Sequence, residues 1–263
     1  MVGETPVFDA LADALRADRP VALATVIEGP GLGLKLMIDP SRALLGTLGD
    51  ADLDRVVARD ARAELGAGLT STRHYGEHGE AREREVGVFI ESFVAPPRML
   101  IFGAVDFTGA LARVAKVLGY HVTVCDARAV FATLERFPMA DIVATDWPDR
   151  YLASVTDLGF RDAICVLTHD AKFDVPAIVA AVATDAGYIG AMGSRRTHAA
   201  RVERLRAAGL TDANLERVMA PIGLDIGSRT PEEAAVAICA EIIALRTGRT
   251  DAPSLRDGTG PIH

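Results

Sequence analysis

The chain has 263 residues, 49% of them hydrophobic and 24% charged, and a formal net charge of -8 at pH 7. This composition is that of a globular protein and excludes a largely disordered chain. The acidic excess opposes binding to nucleic acid or to an anionic membrane surface, and no apolar run reaches the ~18 residues of a membrane span. A length near the limit of one hydrophobic core predicts two domains.

The cysteines and the N-terminus predict a cytoplasmic protein. Cys125, Cys165 and Cys239 lie far apart inside apolar runs, without the paired spacing of a metal site or a disulfide framework. They are therefore predicted to be buried, reduced thiols. The N-terminal segment lacks a basic region followed by an apolar stretch, so no secretion signal is expected.

Residues 1–95 are predicted to form a small α+β domain. Hydrophobic periodicity predicts helices over 7–17 and 51–65 and strands over 20–29, 32–39 and 85–94. The polar stretch between His74 and Glu85 is interpreted as an exposed hairpin tip or loop. His74 and His78 have the i, i+4 spacing of helical metal ligands, but nearby glycines argue against a helix, so no metal site is predicted.

From Pro96 onward, short apolar runs alternate with amphipathic stretches, which predicts a Rossmann-like α/β domain with a parallel sheet over residues 96–250. The predicted strands cover 99–102, 121–125, 142–145, 163–167 and 188–191, with helices after all but the second. Thr230, Pro231 and Glu233 are typical of the capped start of a last long helix. The polar tail, residues 251–263, is predicted to be disordered.

The turn after the first strand of this domain begins at Gly103, where a dinucleotide-binding protein would carry G-x-G-x-x-G/A. Val105 replaces the second glycine, so its branched side chain would stand where a pyrophosphate should lie. Asp106 is expected to satisfy the free N–H groups of the following helix and so to fill the anion hole. Asp126, about 20 residues on, either binds a ribose or merely ends a strand.

A second candidate site is the turn before the helix that follows the fifth strand. It contains Gly193, Ser194, Arg195 and Arg196. Ser194 can cap the helix, whose first N–H groups favour an anion, and the two arginines could clamp a phosphate. Arginine is unfavourable at a helix N-terminus unless an anion compensates it, so we predict a ligand site rather than a solvated basic turn.

Two more loops are expected at the same edge of the sheet. Thr168, His169 and Asp170 directly follow the fourth strand, and Asp225 lies in the glycine-bearing loop 221–227. Ligands of open α/β sheets bind at the carboxyl ends of the strands, so both loops are expected to face one cleft. His169 could act as a general acid or base or could be a simple hydrogen-bonding residue, and no catalytic residue is assigned.

Four segments together resemble the C-terminal domain of the XdhC/CoxI family: LIFGAVDFTGALARVAKVLGYHVTVCDAR, VLTHDAKFDVPAI, YIGAMGSRRTHAARVERL and PIGLDIGSRTPEEAAVAICAEIIALRTGR. The resemblance implies a chaperone rather than a catalyst, one that binds the molybdenum cofactor (molybdopterin), promotes its sulfuration and delivers it to a molybdenum hydroxylase apoenzyme. Xanthine dehydrogenase and carbon monoxide dehydrogenase are such hydroxylases. The resemblance also implies a cysteine desulfurase as a second partner.

The chain departs from the family pattern at two places. The first turn of the family, G-A-G-H, reads G-A-V-D here, and the cysteine-bearing S-G-G-C-V-E of its first domain corresponds to LGTLGDA at 45–51. No cysteine precedes Cys125. A sulfur-carrying thiolate needs an exposed cysteine with a lowered pKa, so cysteine-dependent chemistry is not expected of this chain alone.

The leading hypothesis places the phosphate or nucleotide end of the cofactor on Ser194, Arg195 and Arg196, with the loops at 168–170 and 221–227 lining the rest of the cleft. One alternative is an NAD(P)-binding oxidoreductase, which Val105 and Asp106 oppose. A second alternative is a docking partner of a hydroxylase, or of a complete relative, that binds no cofactor. A homodimer is the default expectation for the oligomeric state.

Overall fold

The structure is a computed structural model that describes residues 4–81 and 83–249. These residues divide into two compact units, and the division falls between Ala95 and Pro96. The tail predicted to be disordered, 251–263, lies outside the described residues, as does residue 250 at the end of the predicted second domain.

The described part of the first unit is a five-stranded antiparallel sheet with two helices. Its elements are α1 (Glu4–Arg16), β1 (Val21–Glu28), β2 (Lys35–Ile38), β3 (Leu45–Gly46), α2 (Ala51–Ala67), β4 (Ser71–Tyr75) and β5 (Val86–Phe93). The strand order is β3-β2-β1-β5-β4, and each neighbouring pair is antiparallel. Ala22 and Ala24 of β1 belong to the hydrophobic cluster that includes α2, on one face of the sheet. Val21 and Leu23 belong to the cluster that includes α1, on the other face. Because both faces of β1 are covered, apolar residues stand at consecutive positions from Val21 to Ala24 and do not alternate with polar ones.

The predicted helices and strands of this unit are present, although β2 covers only 35–38 of the predicted 32–39, and β3 and β4 were not predicted. β4 is an edge strand with the polar sequence STRHY, and it pairs only with β5 among the described strands. A strand exposed along one side does not need an apolar pattern, which is why periodicity missed it. His74 therefore lies on β4, while the loop that follows it joins β4 to β5 as predicted.

The second unit is an α/β domain with a six-stranded parallel sheet, which confirms the predicted fold class. Its elements are β6 (Arg98–Phe102), α3 (Asp106–Val117), β7 (His121–Cys125), β8 (Ile142–Ala144), α4 (Pro148–Ser154), β9 (Ala163–Val166), α5 (Ala171–Val182), β10 (Tyr188–Ala191), α6 (Arg195–Ala207), α7 (Asp212–Glu216), β11 (Val218–Met219) and α8 (Pro231–Arg246). The five predicted strands correspond to β6 through β10, with ends that agree to within one residue. The short α7 and β11 were missed because they are too brief to show a period.

The strand order of the second unit is β11-β10-β9-β6-β7-β8. Counted from β6 this is 6-5-4-1-2-3, the order of a doubly wound dinucleotide-binding fold read from the other edge. The helices α3 and α8 pack on one face with Met99 and Ile101 of β6, and α4, α5 and α6 pack on the other with Leu100 and Phe102. Both faces of the sheet are therefore buried, as the short apolar strands predicted.

The strand order reverses between β6 and β9, so the loops that follow these two strands diverge to opposite faces of the sheet. Gly103, just beyond β6, has a φ of +113°, and a Cβ there would lie 2.7 Å from the Thr168 side chain just beyond β9. Only glycine allows this close approach. The carboxyl edge at this reversal is where folds of this order bind their ligands.

The predicted start of α8 is confirmed by its hydrogen bonds. The hydroxyl of Thr230 accepts from the backbone N–H of Glu233 at 3.2 Å, and the Glu233 carboxylate accepts from the backbone N–H of Thr230 at 3.1 Å. Pro231 occupies the first turn, where its missing N–H has no cost. The reciprocal pair satisfies donors that the helix leaves free.

We expect Thr230→Ala to lower the free energy of unfolding by about 1 kcal/mol, because it removes one half of this capping box. Thr230→Ser keeps the hydroxyl and is the matched control. Urea unfolding followed by far-UV circular dichroism measures both variants, and equal midpoints for the two would contradict the role of the cap.

Candidate ligand-binding site at the carboxyl edge of the parallel sheet

The turn between β10 and α6 is built to leave a helix end open. Gly193 has a φ of +146°, and a Cβ there would lie 3.3 Å from the Thr197 side chain. Ser194 is the N-cap, and its hydroxyl oxygen accepts from the backbone N–H of Thr197 at 3.1 Å. The first turn of α6 contains no acidic residue but begins with Arg195 and Arg196. The positive end of this helix is therefore reinforced and not neutralised within the helix.

A cleft of about 550 Å³ opens at this helix end. It is lined by Ser194, Arg195 and Arg196 of the α6 turn and by the loop residues Pro221, Ile222, Gly223, Leu224 and Asp225. The Arg195 guanidinium lies 3.6 Å from the Asp225 carboxylate, and both side chains are 87% exposed. An exposed pair of this kind contributes little to stability, so Asp225 holds the Arg195 guanidinium only weakly. The structure thus brings together two loops that the sequence placed in one cleft.

The far wall of the cleft is held by Glu241 of α8. One oxygen of the Glu241 carboxylate accepts from the backbone N–H of Gly223 at 2.9 Å and from the Tyr188 hydroxyl at 2.5 Å. Burial raises the pKa of Tyr188, so its hydroxyl keeps the proton that it donates. The sequence does not indicate the role of Glu241, because nothing near a lone acid in an apolar helix shows which distant loop it contacts.

Beneath the α6 turn lies a buried ion pair. Arg201 is 2% exposed, and its Nη2 donates to the Asp174 carboxylate at 2.8 Å and to the Met192 carbonyl at 2.7 Å. The Thr168 hydroxyl donates to the other oxygen of Asp174. Thr168 was expected to line the cleft, but its hydroxyl is instead used within this buried network. Nε and Nη1 of Arg201 are also buried and have no hydrogen-bond partner among the described residues.

We expect Arg201→Met to lower the free energy of unfolding by about 3–5 kcal/mol at neutral pH, because it leaves the Asp174 carboxylate buried and uncompensated. Burial raises the pKa of Asp174 and Arg201 opposes that rise, so the pKa rises further in the variant. A raised pKa of Asp174 in the folded state lowers the free energy of unfolding at high pH, where the carboxyl is ionised. The loss disappears once the carboxyl is protonated in both the folded and the unfolded state, so the difference between variant and wild type should shrink as pH falls.

Urea unfolding of the Arg201→Met variant at several pH values between 5 and 8 measures this effect. The double variant Arg201→Met with Asp174→Leu is the control, since replacing both charges removes the uncompensated carboxylate. A deficit that does not change with pH, or a double variant no more stable than the single one, would contradict the interpretation.

The turn after β6 differs from its prediction in one respect. Asp106 was expected to satisfy the N–H groups at the start of α3, but it is exposed and its carboxylate makes no hydrogen bond within residues 4–81 and 83–249. The Thr108 hydroxyl accepts from the backbone N–H of Val105, the residue before the helix, at 3.3 Å and donates to the Gly103 carbonyl. It does not cap the first N–H groups of α3. Asp106 adds only its charge to the helix end. Val105 is the N-cap residue and has no side chain that can cap.

Asp126 is hydrogen-bonded within the protein at the end of β7. It is 4% exposed and accepts from the backbone N–H of Ala104 at 2.8 Å and from the Arg128 guanidinium at 2.8 and 2.9 Å. Burial alone would raise the pKa of Asp126, but the hydrogen bonds from Arg128 and Ala104 outweigh it and lower the pKa below its ordinary value. The carboxylate thus fastens the Gly103 turn to the end of β7.

The loop after β9 contributes a helix cap and an exposed histidine. Asp170 is the N-cap of α5, and its carboxylate accepts from the backbone N–H of Lys172 at 2.9 Å. His169 is exposed and has no hydrogen-bond partner in the described part of the chain. Its position at the carboxyl edge fits the prediction, but the contacts assign it no proton-transfer partner.

The two histidines of the first unit have separate partners. His74 Nε2 lies 3.4 Å from the Glu28 carboxylate, whereas His78 Nδ1 lies 2.9 Å from the Asp50 carboxylate. Within residues 4–81 and 83–249, no three His, Cys, Asp or Glu side chains are grouped closely enough to hold a metal ion.

The three cysteines are free and buried, which confirms the prediction. Burial raises the pKa of Cys125 to about 12 and that of Cys239 to about 11, and it raises the pKa of Cys165 far above its ordinary value. Since the thiolate is the reactive form, these thiols are poor nucleophiles at neutral pH.

We expect the native protein to react with none of its thiols on addition of the aromatic disulfide DTNB at pH 8, because each thiol is both protonated and shielded. The same protein in guanidinium chloride should release three equivalents of the coloured thiol. Rapid release of even one equivalent from the native protein would contradict the assignment.

Comparison with known protein families settles the relationship of the chain. The family described as "XdhC and CoxI family" matches residues 14–76, and the one described as "XdhC Rossmann domain" matches residues 99–242. The chain belongs to the XdhC/CoxI family. The resemblance inferred from the sequence is thereby confirmed.

Three curated relatives are similar to parts of the chain. A probable xanthine dehydrogenase subunit of Bacillus subtilis is 33% identical over 62% of this chain and 47% of its own length. The "Uncharacterized protein YqeB" of Escherichia coli is 24% identical over 91% of this chain and 46% of its own length. The "Molybdenum cofactor insertion chaperone PaoD" of Escherichia coli is 31% identical over 32% of this chain and 26% of its own length. The chain thus spans less than half the length of each relative.

A solved structure described as a xanthine dehydrogenase from Bacillus halodurans is similar in fold. It superimposes with a TM-score of 0.53 over 94% of this chain and 97% of its own, at 19% identity. An identity this low establishes the fold alone. In the described part of the chain, no helix is both long and apolar enough to cross a lipid bilayer.

Proposed function

We propose that this protein binds the molybdenum cofactor and helps to deliver it to the apoenzyme of a molybdenum hydroxylase. The observation that carries the proposal is the open N-terminus of α6, where Ser194, Arg195 and Arg196 face a cleft of about 550 Å³. That volume is within the range of small-molecule sites. Membership of the XdhC/CoxI family supports the proposal, as do the names of two relatives, a cofactor insertion chaperone and a probable subunit of xanthine dehydrogenase.

The chemistry of the cleft fits the phosphate-bearing end of such a cofactor. Free backbone N–H groups and the positive dipole end of α6 attract an anion, and two guanidinium groups can donate paired hydrogen bonds to phosphate oxygens. Arg195 would release the exposed Asp225 in favour of the phosphate. Glu241 holds the opposite loop in place through Gly223, so the cleft keeps its shape when a ligand enters.

The sulfuration step expected from the family does not fit the thiols of this chain. Cys125, Cys165 and Cys239 are buried, and no cysteine lies in the first 95 residues. We therefore propose that the protein holds and presents the cofactor, while a partner such as a cysteine desulfurase supplies any sulfur. A cytoplasmic location and a homodimer stay predictions.

The experiment for this proposal is to purify the protein from a molybdenum-replete host, denature it, oxidise the released pterin and quantify its fluorescence. We expect near-stoichiometric pterin in the wild type and at least a tenfold loss in the double variant Arg195→Ala with Arg196→Ala. Hydrogen bonds to charged groups contribute about 1.5–3 kcal/mol each, which corresponds to this loss or more.

The matched control is Arg204→Ala with Arg206→Ala, which removes the same charge from the far end of the same helix. This control should keep the pterin of the wild type. Equal pterin in both double variants, or none in the wild type, would contradict the assignment, and thermal melting confirms that each variant is folded.

NAD(P) binding is the alternative function, because the strand order is that of dinucleotide-binding folds. Asp126 opposes it, since a ribose could bind this carboxylate only by displacing Arg128 or the N–H of Ala104. We expect no shift in melting temperature with millimolar NAD, NADH, NADP or NADPH. A ligand present at 100 times its dissociation constant would add about 2.7 kcal/mol, so a clear shift would favour the oxidoreductase.

A further inference from the structure

Two aromatic rings meet at the carboxyl edge of the parallel sheet outside its hydrophobic core. The ring centroids of Trp147 and Phe173 lie 5.0 Å apart at an interplanar angle of 38°. Both residues are half-buried, and neither belongs to the two core clusters that the described residues of the second unit form. The exposed Lys172 places its Nζ 4.8 Å from the centre of the Trp147 ring. We call Trp147 and Phe173 the aromatic shelf.

The shelf lies at the carboxyl edge of the parallel sheet, at the starts of α4 and α5. Trp147 follows β8 and is the N-cap residue of α4, and Phe173 lies in the first turn of α5 after β9. Both helices pack on the same face of the sheet, which brings together the ends of two strands that are not neighbours. The Cys125 thiol at the end of β7 donates to the carbonyl of Asp146, beside Trp147. The shelf therefore adjoins the strand ends next to the Gly103 turn.

One cationic side chain, that of Lys172, lies over the shelf. The Lys172 ammonium lies over both rings, 5.7 Å from the centre of Phe173. The Arg128 guanidinium, just beyond β7, interacts electrostatically with Asp170 at the start of the same α5 turn. A planar group bound on the shelf would thus meet the Lys172 ammonium, although the chain as a whole carries a net charge of -8.

We propose that the aromatic shelf stacks the planar heterocycle of the bound ligand, a pterin or a nucleobase, and that Lys172 pairs with an anionic group of the same ligand. The contact of one exposed lysine with a ring is weaker than the stacking of a base, so a heterocycle can displace the Lys172 ammonium from the ring face. Lysine is a flexible point charge and can follow the displaced position toward a phosphate. The pterin form of this inference rests on the proposed function, whereas the nucleobase form does not.

Trp147 is the single tryptophan of the chain, so the intrinsic tryptophan fluorescence reports on the shelf alone. The probes are 6-carboxypterin, CMP, AMP and GMP, and ribose 5-phosphate serves as the ligand without a heterocycle. N-acetyltryptophanamide corrects for light absorbed by the probes. We expect saturable quenching by at least one heterocycle and none by ribose 5-phosphate. Quenching by the pterin or by a nucleotide identifies which source of the ring the shelf accepts.

Variants separate stacking from general effects on the fold. Trp147→Leu should weaken binding of the quenching probe about tenfold in equilibrium dialysis, and Trp147→Phe, which keeps a ring, should stay close to the wild type. Phe160→Leu is the matched control, because Phe160 is an exposed ring just before β9, at the opposite edge of the sheet. Lys172→Met should weaken binding of a nucleotide but not of its nucleoside.

Several outcomes would overturn the proposal. No saturable quenching by any heterocycle at millimolar concentration would do so, as would equal losses in the Trp147 and Phe160 variants. Pterin that co-purifies and depends on Arg195 and Arg196, but is retained in a folded Trp147→Leu variant, would overturn the shelf while leaving the proposed function intact. Heterocycle binding without any co-purified pterin would overturn the proposed function while leaving the shelf intact.

Discussion

The buried hydrogen bonds of the Arg201 guanidinium are the contacts on which the carboxyl edge of the parallel sheet depends. The guanidinium lies beneath the turn between β10 and α6, and it is joined to Asp174 of α5 and to the carbonyl of Met192. Asp174 in turn accepts from Thr168, so one buried charge pair connects the loops that follow β9 and β10. A buried charge tolerates little displacement, because leaving either partner alone costs several kcal/mol. The open end of α6 is held in place by this requirement.

At this edge of the sheet the exposed groups are charged, whereas the thiols of the domain are buried. An exposed helix end with two arginines and an exposed carboxylate at 3.6 Å is suited to exchanging one anion for another. The groups that could attack or transfer atoms are different: the three thiols are buried and protonated, and Asp126 is fully engaged by Arg128 and Ala104.

The Gly103 turn stands where dinucleotide-binding folds hold a pyrophosphate, but here hydrogen bonds within the protein fix its backbone. Its backbone passes so close to Thr168 that glycine is required, and Thr108 and Asp126 tie it down from two sides. The Gly193 turn starts a helix whose N-cap, Ser194, accepts from the backbone N–H of Thr197 and whose first two residues are the exposed Arg195 and Arg196. The turn with the two arginines follows β10, which β9 separates from β6 in the sheet.

Sequence alone determined the α/β class, five of the six strands of the parallel sheet and the capped start of α8. Buried parallel strands need apolar runs, and a cap needs particular residues three positions apart. It also indicated the α6 turn, since adjacent cations at a helix N-terminus are unfavourable without an anion. Only the tertiary structure decided which groups are free. Asp106 and Asp126 both follow strands, yet one is exposed and the other is buried under Arg128. Arg201 and Glu241 have partners 27 and 18 positions away. Burial and long-range pairing set the availability of a polar group, and neither is written in local sequence.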